Sequence, residues 1–202
     1  MKIFESGLYS LVEWLINIFL LNLLIILTSI PIITIFPSLS AGFNVVRNWK
    51  LNRDPSVTRA YFRYLGITIK ENKLMHVTWF VASFIIFINY FYLMQDETSM
   101  VSIMYVPLFV TTVLFIGVSV HLLGLTAHYK LTFNDKIKLA TRLTLTRPHT
   151  GLLVLMNALL FIAFFVLPLL FLVLFSFGVY LNFSICHHIY WHLKTSPQIN
   201  EN

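Results

Sequence analysis

The sequence predicts an all-α, polytopic membrane protein, and its composition, hydropathy and charge spacing all indicate this class. Apolar residues make up 58% of the 202 residues and charged residues 11%, whereas soluble domains carry about 25% charged residues. Mean hydropathy is +0.81, and several uncharged runs reach the roughly 20 residues that a helix needs to cross a membrane. These properties exclude a soluble enzyme, a nucleic-acid-binding module and a disordered chain. We therefore treat residues 1–202 as a single membrane domain.

Five uncharged runs are predicted to be transmembrane helices. Charged segments separate the first three, but the last two share one uncharged stretch between Arg147 and Lys194. As one straight helix this stretch would be about 60–70 Å long, twice the thickness of the hydrocarbon core. Pro168 is expected to mark the turn, because proline cannot donate a helical hydrogen bond; a break near residues 176–178, or only four spans, is the alternative. The predicted spans are residues 14–36, 74–94, 102–124, 149–167 and 169–191.

The basic residues predict the orientation of these spans. Segments 37–73 and 125–148 hold nearly all of the 14 Lys and Arg, whereas the link between the second and third spans holds Asp96 and Glu97. Because Lys and Arg in short loops remain on the cytoplasmic side, we expect both basic segments to be cytoplasmic. Five spans then place the amino terminus outside and the carboxyl terminus inside. The net charge of +6 is thereby explained without nucleic acid.

Each cytoplasmic segment is predicted to contain an amphipathic helix of the kind that lies on a membrane surface. Asp54 and Pro55 suit the N-cap and first turn of one helix, and Asn134 and Asp135 are expected to cap the other. The apolar face of the first helix comprises Val57, Tyr61, Tyr64, Leu65 and Thr68. Its opposite face, a candidate docking surface for anionic lipid headgroups or a protein partner, carries Arg59, Arg63, Lys70 and Lys73. The alternative is that these charges only set topology.

A polar, proline-containing element closes the first span. It comprises Asn22, Ser29, Pro31, Thr34 and Pro37. Two prolines six residues apart break or kink a helix and free its carbonyls. The element is either a broken helix that lines a substrate site or a simple exit from the membrane.

The histidines and the single cysteine give no complete chemical site. His76 and His121 near the ends of two spans form either a pH-sensitive pair or ordinary interfacial residues. His188 and His192 are four residues apart beside Cys186, but tetrahedral zinc needs further ligands. Nucleotide-binding and hydrolase motifs are absent from the sequence. We therefore expect no enzyme activity, no cofactor and no catalytic, cofactor-binding or metal-binding residues.

The stretch from residue 21 to residue 73 has a distinctive order of residues. An asparagine late in an apolar span is followed by the proline-containing element, Ala41, a basic segment with Trp49, and an aromatic and basic helix that ends at Asn72. This pattern resembles the YesL family of bacterial membrane proteins, a family without an assigned activity. The resemblance implies the cell membrane of a bacterium and, because family genes often lie near sugar-uptake genes, a role beside carbohydrate transport.

Two functions are consistent with these features. The first is a non-enzymatic accessory or regulatory membrane protein, which would contact the bilayer, anionic headgroups or a sugar-transport complex. The second is a small multi-span transporter or permease subunit. A transporter requires polar side chains that converge along one cavity, whereas an accessory protein allows them to be distributed over helix contacts.

Overall fold

The computed structural model of the protein describes residues 2–52, 56–95, 101–166 and 171–194. Within these ranges the regular elements are all helical, which confirms the all-α prediction. The elements, in chain order, are α1 (Lys2–Ser29), a 3-10 turn (Ile32–Thr34), α2 (Ile35–Asn52), α3 (Val57–Glu71), α4 (Lys73–Gln95), α5 (Val101–His128), α6 (Phe133–Thr146), α7 (His149–Val166) and α8 (Phe171–Lys194).

Three helices of the described residues are long and apolar enough to cross a membrane. They are the Leu11–Ser29 part of α1, the whole of α4, and the Ile103–His128 part of α5. A fourth candidate is α6 together with the His149–Ala163 part of α7, two helices that meet at 93°. Because α6 is strongly charged and α7 has no charged residue, we assign the membrane-crossing role in this pair to α7.

The predicted fourth and fifth spans correspond to α7 and α8. The expected turn at Pro168 lies outside the described residues, between the end of α7 and the start of α8. The apolar part of α8, Val173–Cys186, is shorter than a full span. The structure thus supports a polytopic architecture with three to four candidate spans, and the count of five remains a prediction.

The surface of α4 is suited to hydrocarbon rather than water. Its large apolar side chains point away from the bundle, and Phe84, Phe87 and Tyr92 are each more than half exposed. A soluble protein rarely exposes a continuous apolar face of this extent. The outer side of α4 is therefore where we expect lipid contact.

The first predicted span ends earlier than expected, because the helix breaks at Pro31. Helix α1 stops at Ser29, and α2 begins at Ile35 after the short 3-10 turn. Pro31 is extended, with ψ of 113°, and it has no N–H for the preceding helix. Pro37 lies in the first turn of α2, where the missing N–H leaves no helical bond unmade.

Helix α2 is the central helix of the bundle, although the sequence predicts a cytoplasmic segment from residue 37. It packs against α1, α3, α4, α5 and α8, and Phe36, Val45 and Val46 are almost completely buried. A Cβ on Gly42 would lie 3.0 Å from Cδ1 of Ile25. Glycine at this position therefore allows α1 and α2 to approach closely.

The two amphipathic helices are present, but their caps differ from the predicted ones. Helix α3 begins at Val57 with Ser56 as its N-cap, and the predicted Asp54 and Pro55 lie outside the described residues. Helix α6 is capped by Thr132, whose hydroxyl accepts the backbone N–H of Asp135 and donates to its carboxylate. The threonine occupies the N-cap because its hydroxyl reaches an N–H three residues ahead.

Side-chain contacts establish the relative directions of the long helices. In α7 and α8, Asn157 pairs with Asn182 and Leu160 approaches Gly178, so the two helices run antiparallel.

The contact between α1 and α8 is also antiparallel, because Trp14 meets Tyr180 whereas Asn22 meets Phe175. If the chain crossed the membrane five times in alternating directions, the first and last spans would be parallel. The antiparallel contact therefore shows that α1 does not follow this simple alternating order.

Two glycines provide a matched test of this packing. A Cβ at Gly117 of α5 would lie 2.8 Å from Cγ2 of Thr144 and 3.0 Å from Cγ2 of Thr150, whereas a Cβ at Gly66 of α3 would meet nothing within 4 Å. Gly66→Ala should stabilise the protein by about 0.5–1 kcal/mol, because alanine favours the helix. Gly117→Ala should instead lower the thermal midpoint in detergent, because α5 must move away from α6 and α7. Equal shifts for both variants would contradict the α5–α6–α7 contact.

Candidate functional site

An apolar cavity of about 450 Å³ lies between α2, α4, α5, α7 and α8. Its volume is within the range of small-molecule sites, about 300–1,000 Å³. Aromatic and aliphatic side chains form most of the wall: Phe36, Leu39, Phe43, Trp79, Phe115, Ile116, Val120, Leu123, Leu160, Phe161, Leu174, Phe175 and Val179. Helix α2, which begins just after the Pro31 break, supplies one side of the cavity.

Three polar side chains reach the cavity wall, and their hydrogen-bonding hydrogens are used within the protein. The amide of Asn157 donates to Leu153 O at 2.7 Å and to Asn182 Oδ1 at 2.9 Å. The amide of Asn182 donates to Gly178 O at 2.8 Å and to Asn157 Oδ1 at 3.2 Å. Since a side-chain amide has two N–H hydrogens, neither asparagine has a hydrogen left for a solute.

The third polar residue, Ser119, is engaged in the same way. Its hydroxyl donates to Phe115 O at 2.7 Å and accepts the indole N–H of Trp79 at 2.8 Å. This bond joins α4 to α5, as the asparagine pair joins α7 to α8. The polar residues of the cavity therefore connect neighbouring helices.

The proline-containing element is held together but does not line the cavity. Asn22 Oδ1 accepts the backbone N–H groups of Phe175 and Ser176 at 3.0 and 3.1 Å. The single hydroxyl hydrogen of Thr34 is shared between Thr28 O and Pro31 O, each 2.5 Å from its oxygen, and Pro31 O also accepts the backbone N–H of Thr34. Ser29 is half-buried, Pro31 is exposed and Pro37 is buried. The break positions α2, and α2 in turn forms part of the wall.

The two histidines predicted as a pair have different neighbours. His121 is buried and its Nε2 lies 2.9 Å from the hydroxyl of Thr150. His76 is buried against the ring of Phe36, at 5.6 Å between ring centroids. The side chains of His188 and His192 lie outside the described part of the chain, so the zinc hypothesis stays untested.

The basic stripe is divided between two helices. Arg59, Arg63 and Lys70 are exposed on α3, whereas Lys73 is the first residue of α4. The buried side of α3 holds Val57, Ala60, Tyr61 and Thr68. The pKa of Tyr61 is raised because burial disfavours the phenolate; its hydroxyl lies 2.5 Å from the hydroxyl of Thr28. Tyr61 thus attaches α3 to the end of α1, with the arginines on the outer side.

Three cations that bond to other parts of the chain were not identified as site candidates from the sequence, because it assigns them to topology. Lys136 is buried, Arg47 is half-buried and Lys50 is exposed. Lys136 of α6 is 6% exposed and donates to Asn72 Oδ1 at 2.8 Å. Lys50 donates to Ser184 Oγ at 2.7 Å, and Arg47 Nη1 donates to Ala127 O at 2.6 Å. Burial lowers the pKa of both Lys50 and Lys136. The sequence signal was the three-residue spacing of Arg47 and Lys50, which places both on one side of a helix.

The asparagine pair predicts an energetic coupling between α7 and α8. We expect Asn157→Leu and Asn182→Leu each to lower the free energy of unfolding, and the double variant to lose less than the sum by about 0.6 kcal/mol, the mean for hydrogen bonds between membrane helices. Unfolding in mixed micelles, followed by tryptophan fluorescence, measures this. Asn89→Leu is the control, because Asn89 is exposed and donates to Ile85 O of its own helix. Additive losses would contradict the coupling.

Comparison with known proteins gives one family match. Neither the curated proteins nor the solved structures include a match to this chain. The region that the family match covers, residues 18–90, contains α2, α3 and most of the α1 and α4 spans. It therefore includes the Pro31 break and one side of the cavity. Residues 18–90, just over a third of the chain, match the family described as "Protein of unknown function, DUF624".

Proposed function

We propose that the protein is a non-enzymatic, multi-pass membrane protein that acts as an accessory or regulatory subunit. The main support is that the polar side chains around the apolar cavity are already hydrogen-bonded within the protein. Asn157 and Asn182 join α7 to α8, and Ser119 joins α5 to α4. A polar solute would meet no free donor from these residues. The helices that are long and apolar enough to cross a membrane support this proposal.

The resemblance of residues 21–73 to the YesL family supports a bacterial cell membrane and a partner in carbohydrate uptake. The match to DUF624 covers the same stretch. A pull-down from native membranes is the direct test. Recovery of a sugar-transport complex with the protein is the expected result, and recovery of the protein alone would count against this role.

The cavity itself favours the second candidate, a small transporter or permease subunit, because its volume could hold a solute. Liposomes that contain the purified protein separate the two candidates. Sugar flux through the protein alone would support the transporter and overturn the accessory role.

The orientation prediction can be tested on two exposed residues. Lys130 follows the end of α5, and Met94, 76% exposed, lies near the end of α4. With Cys186 replaced by Ser, Met94→Cys should react with an impermeant maleimide added to intact cells, whereas Lys130→Cys should react only after lysis. A reporter after Asn202 should be cytoplasmic. Reporters at both ends are needed, because the sequence predicts an external amino terminus whereas α1 meets α8 antiparallel. External labelling of residue 130 would reverse the assignment.

The docking role of α3 can be tested by charge reversal. Arg59→Glu with Arg63→Glu should leave insertion unchanged, because Arg47, Lys50, Lys70 and Lys73 still mark the same side. We expect the variant to lose its co-purifying partner, or its binding to anionic vesicles, to which each basic residue contributes about 1 kcal/mol.

The matched control reverses Lys138 and Arg142, two exposed basic residues of α6. If both double variants keep the partner and the lipid binding of the wild type, the charges of α3 act only on topology.

A further inference from the structure

Two cations of α2, Arg47 and Lys50, lie where α2 contacts α5 and α8. They are separate from the basic surface of α3. Arg47 reaches the last turn of α5 at Ala127 O, and Lys50 reaches Ser184 of α8. The rings of His128 and Phe183 stack at 5.2 Å and join the end of α5 to the middle of α8. Arg47 and Lys50 therefore lie near the carboxyl ends of α2 and α5, beside the middle of α8.

These cations are incompletely compensated. Among the described residues, their hydrogen bonds go to a carbonyl and a hydroxyl, and neither forms an ion pair with a carboxylate. The Nε of Arg47 is buried and has no hydrogen-bond partner. Arg47 is half-buried and Lys50 is exposed, and a partly buried cation without an opposite charge is unfavourable. The region is therefore suited to an anion that carries several acceptor oxygens.

The cation pair adjoins the apolar cavity through two aromatic rings. Phe43 of the cavity wall meets Phe183 edge to face at 6.3 Å. The ammonium of Lys50 lies 5.7 Å from the centre of the same Phe183 ring and 4.9 Å from that of Tyr180. The charged site and the apolar cavity thus lie on either side of the Phe43–Phe183 ring pair, an arrangement that suits a molecule with an anionic head and a hydrocarbon chain.

We propose that Arg47 and Lys50 bind the phosphate of a membrane phospholipid, one of whose acyl chains occupies the cavity. The guanidinium and the ammonium donate charge-assisted hydrogen bonds to phosphate oxygens, and the chain buries its apolar surface against Leu39, Phe43 and Val179. Basic pockets between helices on the cytoplasmic side are known to hold anionic headgroups. A free phosphate ion would use the same two cations but would leave the cavity empty.

The test compares Arg47→Gln with Lys50→Gln against a control with the same loss of charge, Lys138→Gln with Arg142→Gln, two exposed residues of α6. Glutamine at position 47 keeps a donor for Ala127 O. Native mass spectrometry of the detergent-purified protein measures bound phospholipid. We expect the wild type and the α6 control to retain lipid, and the α2 variant to lose it at least tenfold. Equal retention in all three would overturn the proposal.

Two further arms identify the ligand. Phosphatidylglycerol micelles should raise the thermal midpoint of delipidated wild type, whereas inorganic phosphate at equal concentration should not. Leu174→Trp, which fills the cavity, should abolish the lipid shift. A shift with inorganic phosphate that survives Leu174→Trp would show a free-anion site and overturn the lipid assignment.

If the α2 double variant does not fold, Lys50→Gln and Lys50→Arg replace it. Lipid retained by arginine and lost by glutamine supports the proposal, and equal retention opposes it.

Discussion

The break at Pro31 is the constraint on which the rest of the structure depends. An uninterrupted helix would leave residues 35–52 beyond the end of α1, whereas the break returns them as α2 against α1, α3, α4, α5 and α8. Thr34 binds the carbonyl of Thr28 at the end of α1 and that of Pro31. The break itself lies at the surface, with Ile30 and Ile32 exposed. The cavity, the α3 attachment at Tyr61 and the cation pair of α2 all follow from the position of this one helix.

Several polar residues of the bundle form hydrogen bonds between neighbouring helices. Asn22 binds α8, the asparagine pair joins α7 to α8, Ser119 joins α5 to α4, and Ser40 of α2 lies 3.1 Å from the hydroxyl of Thr126. Hydrophobic burial does not distinguish one helix partner from another when the surrounding lipid is equally apolar. These few directional bonds therefore specify which helices are neighbours.

Part of this arrangement can be predicted from the sequence. The long helices follow from uncharged runs, and α3 follows from a 3.6-residue period that separates Tyr61 and Thr68 from Arg59 and Arg63. The burial of α2 could not be predicted, because Ser38, Ser40, Asn44 and the basic residues Arg47 and Lys50 make it resemble a loop. In the bundle several of these polar groups find partners on other helices, such as Thr126 for Ser40 and Ser184 for Lys50, and such tertiary pairing leaves no local pattern. The sequence predicts the N-cap of α6 at Asn134 and Asp135, whereas the structure has it at Thr132. All three residues are suitable N-caps, so the sequence does not distinguish them.

The hydrogen bonds from α8 to Asn22 have a consequence for how the chain is assembled in the membrane. Asn22 enters the bilayer during synthesis of the first helix, but the N–H groups of Phe175 and Ser176 that its carbonyl accepts belong to the last one. Until α8 is made, these two hydrogen bonds cannot form, because their donors have not yet been synthesised. The contact between α1 and α8 is thus completed late in assembly, and a chain that stops after α7 lacks both bonds.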